Sequence, residues 1–335
     1  MAVTIKEIAK KAGVSRSTVA RALNDHPKIS LATKQKVHQI AQELGYVPNY
    51  IAQSLSNNRT QTIGVVIAQV TDPFNWNVIE GIDLAAHNQG YSVLVATARN
   101  DRQREFEIIE TFHRRRVDGI IVSSSHMGSY HSQVLQKIDI PVILINEPEP
   151  EGVFRSVSIN DMASVQQGLN YLIDIGHQRI VYVGSANRPK SNARRYKAYR
   201  GTLRVVGLPV HDEIIAEAGQ SDIETGRAAA KRVINTQATA VLCYNDRVAL
   251  GLNAALREKG IAIPDAISIM GFDDIDEATY AVPRLTTIRQ PQMQLGEYAV
   301  TMLLEMLEGH EVSNLILPCE LVVRDSTQAP ARQET

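Results

Sequence analysis

Two hydrophobic rhythms divide this chain. Through about residue 48 the apolar positions recur at three-and-four spacing over short stretches: Ile5, Ile8, Ala9 and Ala12, then Val19, Ala22 and Leu23, then Val37, Ile40, Ala41 and Leu44. That spacing lays one apolar stripe along each of three helices. The punctuation agrees. Thr4-Ile5-Lys6-Glu7 reads as a capping box, with Glu7 reaching back to the chain at Thr4. Ser15 and Ser30 stand where the second and third helices need N-caps. Gly13 supplies the positive φ of a tight inter-helix turn, and Gly45 followed by Pro48 stops the third helix near Leu44.

From Ile63 the rhythm changes to short apolar runs alternating with amphipathic helices. Ile63–Val70, Ser92–Ala96, Gly119–Ser123 and Pro141–Ile145 are β-rich, and after Val157 a second series follows at Ile180–Gly184, Ala240–Tyr244 and Ile267–Gly271. Helical patterns at Asn77–Asn88, Met162–Ile175, Ile223–Ile234, Asp246–Lys259 and Met293–Glu308 lie between or after them. Strands and helices alternating at this length build parallel sheets. The predicted fold class is α/β, an N-terminal helix-turn-helix head on a body of two doubly wound parallel-sheet subdomains. Ligands of such a body sit beyond the carboxyl ends of its strands.

Charge sharpens the division. The 335 residues are 44% hydrophobic and 21% charged, ordinary for globular chains, and the net charge is −1. Through Thr60, nine Lys and Arg face three Asp and Glu, leaving +6; the remainder carries 26 against 33, or −7. A basic head on an acidic body is the pattern of a nucleic-acid-binding module joined to something else. The two cysteines, Cys243 and Cys319, make no disulfide framework and no Cys-x-x-Cys zinc motif, and Cys243 lies in an apolar run as a buried small side chain would. No apolar run has the length of a signal peptide or a membrane span, so the expected location is the cytoplasm, with no membrane partner.

The outward face of the second helix carries Arg16, Ser17, Thr18, Ala20 and Arg21: two cations, small residues and no acid. A backbone so lined can approach a duplex, with Arg16 and Ser17 placed to reach base edges and Arg21 a base or a phosphate. A helical cap domain without a ligand remains the bland alternative on spacing alone. Thr4-Ile5-Lys6-Glu7-Ile8-Ala9, Gly13-Val14-Ser15, the run Ser17 to Asn24 and Leu44-Gly45-Tyr46-Val47-Pro48-Asn49 together resemble the DNA-binding head of the lactose-repressor (LacI/GalR) family. Ala20 departs from the serine usual there, at the cost of one phosphate contact at most. The resemblance implies DNA contacts from Thr4, Ser15, Arg16, Ser17, Thr18, Arg21, Asn24, Tyr46, Asn49, Ala52 and Leu55. Ile51 to Leu55 is too short to hold a helix alone, and polar residues Ser56 to Thr60 follow as a linker. In the resembled family this segment becomes a hinge helix on operator DNA, with the leucine matching Leu55 wedged into the minor groove.

In the body, Phe74, Asn75 and Trp76, Asn146 and Glu147, Asn245 and Asp246, and Asp273 and Asp274 follow strand ends. Aromatic faces with planar amides and carboxylates suit a polyhydroxyl ligand. Each also has a plain reading: an Asp or Asn after a strand is often the cap of the next helix, as Asp246 looks to be, and Trp76 can be a packing residue. Asp72-Pro73-Phe74, Gly81-Ile82, Asn245-Asp246, Gly271 to Asp274 and Pro283 to Gln290 resemble the family's effector-binding core, a periplasmic-binding-protein-like body. The resemblance implies an effector held by Phe74, Asn75, Asn146, Arg195, Asn245, Asp273 and Gln290. Asn75, Asn146 and Glu147 stand where the family commonly has an aromatic, an aspartate and an arginine, which bears on which effector fits.

Enzymatic motifs are missing from the sequence: no dinucleotide or phosphate-binding glycine loop and no Gly-x-Ser-x-Gly elbow. His126 and His131 lie in a polar stretch with no third metal ligand, and Arg114-Arg115-Arg116 suits a solvated helix end. No cofactor is implied. The expectation is a transcriptional regulator, a repressor, reading a pseudo-palindromic double-stranded operator as a homodimer under control of a sugar-like effector. A cytoplasmic sugar-binding or sugar-processing protein on the same fold is the alternative. The expected division is a head at 1–48, a hinge at 49–61 and a body at 62–335. Within the body, one subdomain takes about 62–160 and 291–319, the other about 161–290 and 320–327. The tail after Val323 has no leucine, isoleucine or valine and carries Pro330, so no coiled coil forms there and a dimer is expected over a tetramer. Its expected faces are Ile79–Ala86 and the segment near Tyr280–Pro283.

Overall fold

The computed structural model describes residues 3–46, 59–123, 140–147, 154–215 and 221–331. It divides into two compact units, Met1–Gln61 and Thr62–Thr335.

The first unit is three helices, α1 (Ile5–Ala12), α2 (Arg16–Leu23) and α3 (Leu31–Glu43). Their apolar stripes meet in one small core of Ile8, Ala9, Ala12, Val19, Ala22, Val37, Ile40 and Ala41. The Glu7 carboxylate accepts from the backbone N–H and the hydroxyl of Thr4 at 2.7 and 3.0 Å, tying down the start of α1. Gly13 ends α1 at φ +70°, the left-handed conformation that lets α2 turn back across it. Ser15 and Ser30 cap α2 and α3, accepting from the N–H of Thr18 and Thr33.

The second unit contains two parallel sheets. The larger has six strands in the order β10-β5-β4-β3-β1-β2: β1 (Thr62–Ile67), β2 (Ser92–Thr97), β3 (Gly119–Ser123), β4 (Val142–Ile145), β5 (Arg155–Ile159) and β10 (Leu315–Leu317). Every pairing in it is parallel. The smaller is β6 (Ile180–Val183), β7 (Ala240–Cys243) and β8 (Ser268–Met270), in that order. In both, the first strand of the series has neighbours from either direction of winding, β2 and β3 around β1, and the Ile214 bridge and β7 around β6. Those are the switch points where a crevice opens past the strand ends.

Helices cover both sheets: α4 (Phe74–Asn88), α5 (Arg102–Arg114), α6 (Asp161–Asp174), α7 (Pro189–Val205), α8 (Asp222–Asn235), α9 (Asp246–Glu258), the short α10 (Asp276–Tyr280) and α11 (Gln292–Leu307). The chain returns to the larger sheet through α11 and β10. It then pairs β11 (Glu320–Val322) antiparallel with β9 (Thr287–Arg289) and reaches the smaller sheet, where Ser326 bonds to Ile269 and Thr286.

The seven expected strands appear; five are shorter than expected by one or two residues, β3 matches and β2 runs on to Thr97. Seven elements had no expectation: α5, β5, α7, β9, α10, β10 and β11. α7 hides because its buried face includes Asn192, Arg195 and Thr202 among Ala198, Tyr199 and Leu203, so the helical period is present but partly polar. β9 and β11 are three residues each and make a two-stranded ribbon too short to show alternation.

Candidate nucleic-acid interface and ligand cleft

In the head, α2 turns Arg16, Ser17 and Arg21 fully outward, with Thr18, Ala20 and Asn24 half-buried beside them. Ser15 is held by its own cap, its hydroxyl 2.8 Å from that of Ser17 and 2.9 Å from that of Thr18. Among the described residues no acid pairs with Arg16 or Arg21, whereas Lys11 and Lys34 are spent on Glu43 and Asp25. The two arginines therefore keep full donor capacity for an outside acceptor. Thr4 is exposed at the start of α1, and Tyr46 is half-buried against the head's core. Asn49, Ala52 and Leu55 lie outside the described residues, as do His126 and His131.

In the body a cleft opens between the carboxyl ends of the two sheets. Six of the seven residues expected at a ligand line it: Phe74, Asn146, Arg195, Asn245, Asp273 and Gln290. Asn75 does not. Its side chain is fully buried beneath β1, donating to the Gln69 carbonyl at 3.1 Å and accepting from Ser123 Oγ at 3.2 Å. A side chain one place along α4 from Phe74 points about 100° away, into the sheet. Trp76 is exposed outside the cleft with its indole N–H 3.3 Å from the Val70 carbonyl.

Arg195 is the centre of the cleft floor. Its Nε donates to Asp161 Oδ1 at 2.9 Å and its Nη1 to the Tyr244 carbonyl at 2.6 Å, while Asp273 Oδ1 stands 3.9 Å away. The guanidinium lies over the Phe272 ring, 3.6 Å from its centroid, and 4.7 Å from that of Tyr244. Burial favours the neutral form, but Asp161, Tyr244 and Asp273 outweigh it and hold the proton more tightly than in water. Asp273 has its carboxyl raised well above the ordinary range by burial, against the pull of Arg195.

The polar side chains form a chain across the cleft. Asn146 Nδ2 donates to Gln290 Oε1 at 2.7 Å, and Gln290 Nε2 donates to Asp273 Oδ1 at 2.6 Å. Asn146 and Asp273 both have positive φ, 56° and 120°, strained for non-glycine residues and concentrated here at the strand ends. Asn245, not Asp246, is the cap of α9: its Oδ1 accepts from the Val248 N–H at 2.9 Å while its Nδ2 donates to Asp222 at 2.8 Å. The capping reading of Asp246 is corrected. It is the first helical residue, fully buried, taking hydrogen bonds from Thr287 Oγ1 and the Ile275 N–H, and burial pushes its carboxyl up to about 7.

Beyond Arg195, sequence reasoning missed the contribution of α7. Arg188, Lys190, Ser191 and Arg194 line the cleft from its first turns, and Asp72 and Asp161 face them. The signal was available: these residues follow β6, at a strand's carboxyl end, with Pro189 at a helix start. Arg188 donates to Asp72 at 3.1 Å and Asn100 at 2.8 Å across the cleft, and Arg247 donates to the Thr71 carbonyl at 2.6 Å. No group of three or more metal-ligating side chains occurs among the described residues.

Comparisons with known proteins fall on both units. A family model described as bacterial regulatory proteins, lacI family, matches residues 4–49, and one described as a periplasmic binding protein-like domain matches residues 169–327. The HTH-type transcriptional repressor CytR of Escherichia coli strain K12 is 33% identical over 332 residues, 98% of this chain and 97% of its own length. Among solved structures, the lac repressor dimer bound to operator and the anti-inducer ONPF superposes with a TM-score of 0.89 at 26% identity, covering 98% of this chain and 100% of that one. A complex of the transcriptional regulator CelR with cellobiose gives 0.73 at 28% identity, covering 97% and 100%.

Proposed function

The chain belongs to the lacI family of bacterial regulatory proteins, and from that premise we propose that it is a transcriptional repressor reading a pseudo-palindromic operator as a homodimer. The observation that carries this is the face of α2, where Arg16 and Arg21 stand exposed with no acid paired to them among the described residues. One such face covers one half-site, so a two-fold partner is needed to cover a palindrome. Thr4, Ser15, Ser17, Thr18, Asn24 and Tyr46 contribute backbone and base contacts around the two arginines. Asn49, Ala52 and Leu55 supply the hinge, with Leu55 as the minor-groove wedge.

The cleft of the body takes a small polyhydroxyl effector. Supporting this are the buried guanidinium of Arg195 on an aromatic floor and the amide and carboxylate groups of Asn146, Asn245, Asp273 and Gln290 around it. Cellobiose, bound in the CelR complex, is of the same chemical class. Because both halves line the cleft, a ligand that favours one relative angle of the halves shifts the population of the DNA-binding form. Dimerisation uses faces of the body, including Ile79–Ala86 and the segment near Tyr280, which is 83% exposed. The division is a head at 1–48, a hinge at 49–61 and a body from 62 onward. The site of action is the cytoplasm; no helix among the described residues is long and apolar enough to cross a membrane.

The test is selection of bound sequences from random duplex DNA with the full chain, followed by release of the selected duplex with sugars. One enriched motif of two-fold symmetry, lost on adding a sugar, is the expected result. A body that binds sugar while the chain enriches no sequence would leave a sugar-binding protein and remove the repressor.

A further inference from the structure

The cleft carries its own counter-ions. Glu147, after β4, is 7% exposed and lies 3.0 Å from Lys190 Nζ and 3.8 Å from Arg194 Nη1. Asp72, after β1, lies 3.1 Å from Arg188 Nη2. Arg188 is the cap residue of α7 and Lys190 sits in its first turn. A helix N-terminus bearing two cations and facing a cleft is where a ligand's phosphate or carboxylate would otherwise be received. Here the opposite half of the body fills that position with two side-chain carboxylates. Arg194 and Arg195 are in turn held by Asp161 at 2.8 and 2.9 Å.

What remains uncommitted is of a different kind. Asn146 Oδ1 is buried without a hydrogen-bond partner. With the Asp273 carboxylate accepting, Gln290 Nε2 is used by Asp273 and Asn146 Nδ2 by Gln290, so the amide atom left unpaired is the carbonyl oxygen. It can only accept. A buried acceptor without a donor costs stability that a ligand hydroxyl or amino group would restore. An anionic group, by contrast, would meet that lone pair and the Glu147 carboxylate together, or would have to displace Glu147 and leave it buried without its cations.

We infer that this cleft is built for an uncharged ligand that donates a hydroxyl or amino hydrogen to Asn146 Oδ1, and that Glu147 and Asp72 act as resident anions that reject sugar phosphates, nucleotides and carboxylates. The inference rests on the effector reading of the cleft and adds the ligand's charge class to it. Specificity then comes from an introduced repulsion as much as from attraction.

The experiment uses the full chain and matched pairs: ribose with ribose 5-phosphate, glucose with glucose 6-phosphate, and adenosine with its 5′-monophosphate, together with inorganic phosphate alone. Affinities are measured by calorimetry and melting midpoints by fluorimetry, for wild type, Glu147→Gln and the Glu147→Gln, Lys190→Gln double variant. For any parent that binds wild type, the ester is expected to bind at least about tenfold more weakly. Inorganic phosphate at millimolar concentration is expected to leave the wild-type midpoint unchanged, to raise that of Glu147→Gln, and to lose that effect in the double variant. An ester that binds more tightly than its parent overturns the inference, as does phosphate protection of wild type or none gained in Glu147→Gln. Failure of the effector reading is separate: a neutral compound that releases operator equally from wild type and Asp273→Asn acts somewhere other than this cleft.

Discussion

Replacing Arg195 with methionine removes the guanidinium from the cleft floor while keeping a side chain of similar reach against the Phe272 ring. Taking one partner from a buried ion pair costs about 3–5 kcal/mol, mostly through the charge left behind. Here the lower end applies. Asp161 keeps Arg194 on Oδ2 at 2.8 Å and Asp273 keeps Gln290 at 2.6 Å, so neither carboxylate is stranded, and the donors lost are those to Asp161 Oδ1 and the Tyr244 carbonyl. With an unfolding entropy of about 2.1 cal/mol/K per residue, the body from Thr62 changes by about 0.6 kcal/mol for each degree. A loss of about 3 kcal/mol therefore lowers its melting midpoint by about 5 °C. Differential scanning calorimetry of the full chain reads that shift, and an operator-release titration reads the second consequence, loss of the effector response. Arg195→Lys keeps the charge but cannot reach Asp161 and the Tyr244 carbonyl with a rigid fork, so it should fall between the two. A midpoint within about 1 °C of wild type together with an unchanged titration would refute the central placement of Arg195.

Three further outcomes are expected. Burial holds the Asp246 carboxyl at about 7, so between its ordinary value near 4 and about 7 the native state binds the proton that the unfolded state releases, and stability falls as pH rises through that window. His177, lowered by burial, opposes this on the acid side, so the measurement is the difference between wild type and Asp246→Asn in melting midpoint from pH 5 to 7.5; the variant should show the flatter decline, and parallel curves would count against the linkage. Gly81→Ala would drive a Cβ into the Met293 carbonyl where α4 and α11 touch, and denaturant unfolding should show a loss of about 1–3 kcal/mol; a neutral result would mean the helices separate freely. Arg16→Ala and Arg21→Ala should each weaken operator binding about 10- to 100-fold in an anisotropy titration without altering the head's melting, since neither side chain is buried or paired; loss of helicity instead would make them structural residues.

How much was legible follows from what each residue's period reveals. The three head helices announced themselves, because Thr4, Ser15 and Ser30 begin them and Gly13 and Gly45 end two of the apolar stripes. The sheets did so as well, since strands buried on both faces read as continuous Ile and Val runs. α7 did not. Its inward face spends Asn192 on Tyr182 and Arg195 on Asp161, so polar groups lining the cleft interrupt the hydrophobic period that marks a buried helix. The strand-end rule found Phe74, Asn146, Asn245 and Asp273, but could not separate Asn75 from Phe74, because one step along a helix decides between cleft and sheet. Nor could it see that Glu147 meets Lys190: that pair joins residues from opposite halves and exists only once both sheets are folded.

The repressor reading is tested most directly by one ratio. The full chain is titrated by fluorescence anisotropy against the duplex it selects and against a random duplex of equal length, at one fixed salt concentration. Phosphate contacts serve both duplexes alike, so only base and shape readout by the α2 face separates them. A preference of at least about a thousandfold, with two protomers per selected duplex, is the predicted result. A ratio near one would leave only electrostatic attraction between a basic head and DNA, and would contradict sequence-specific repression.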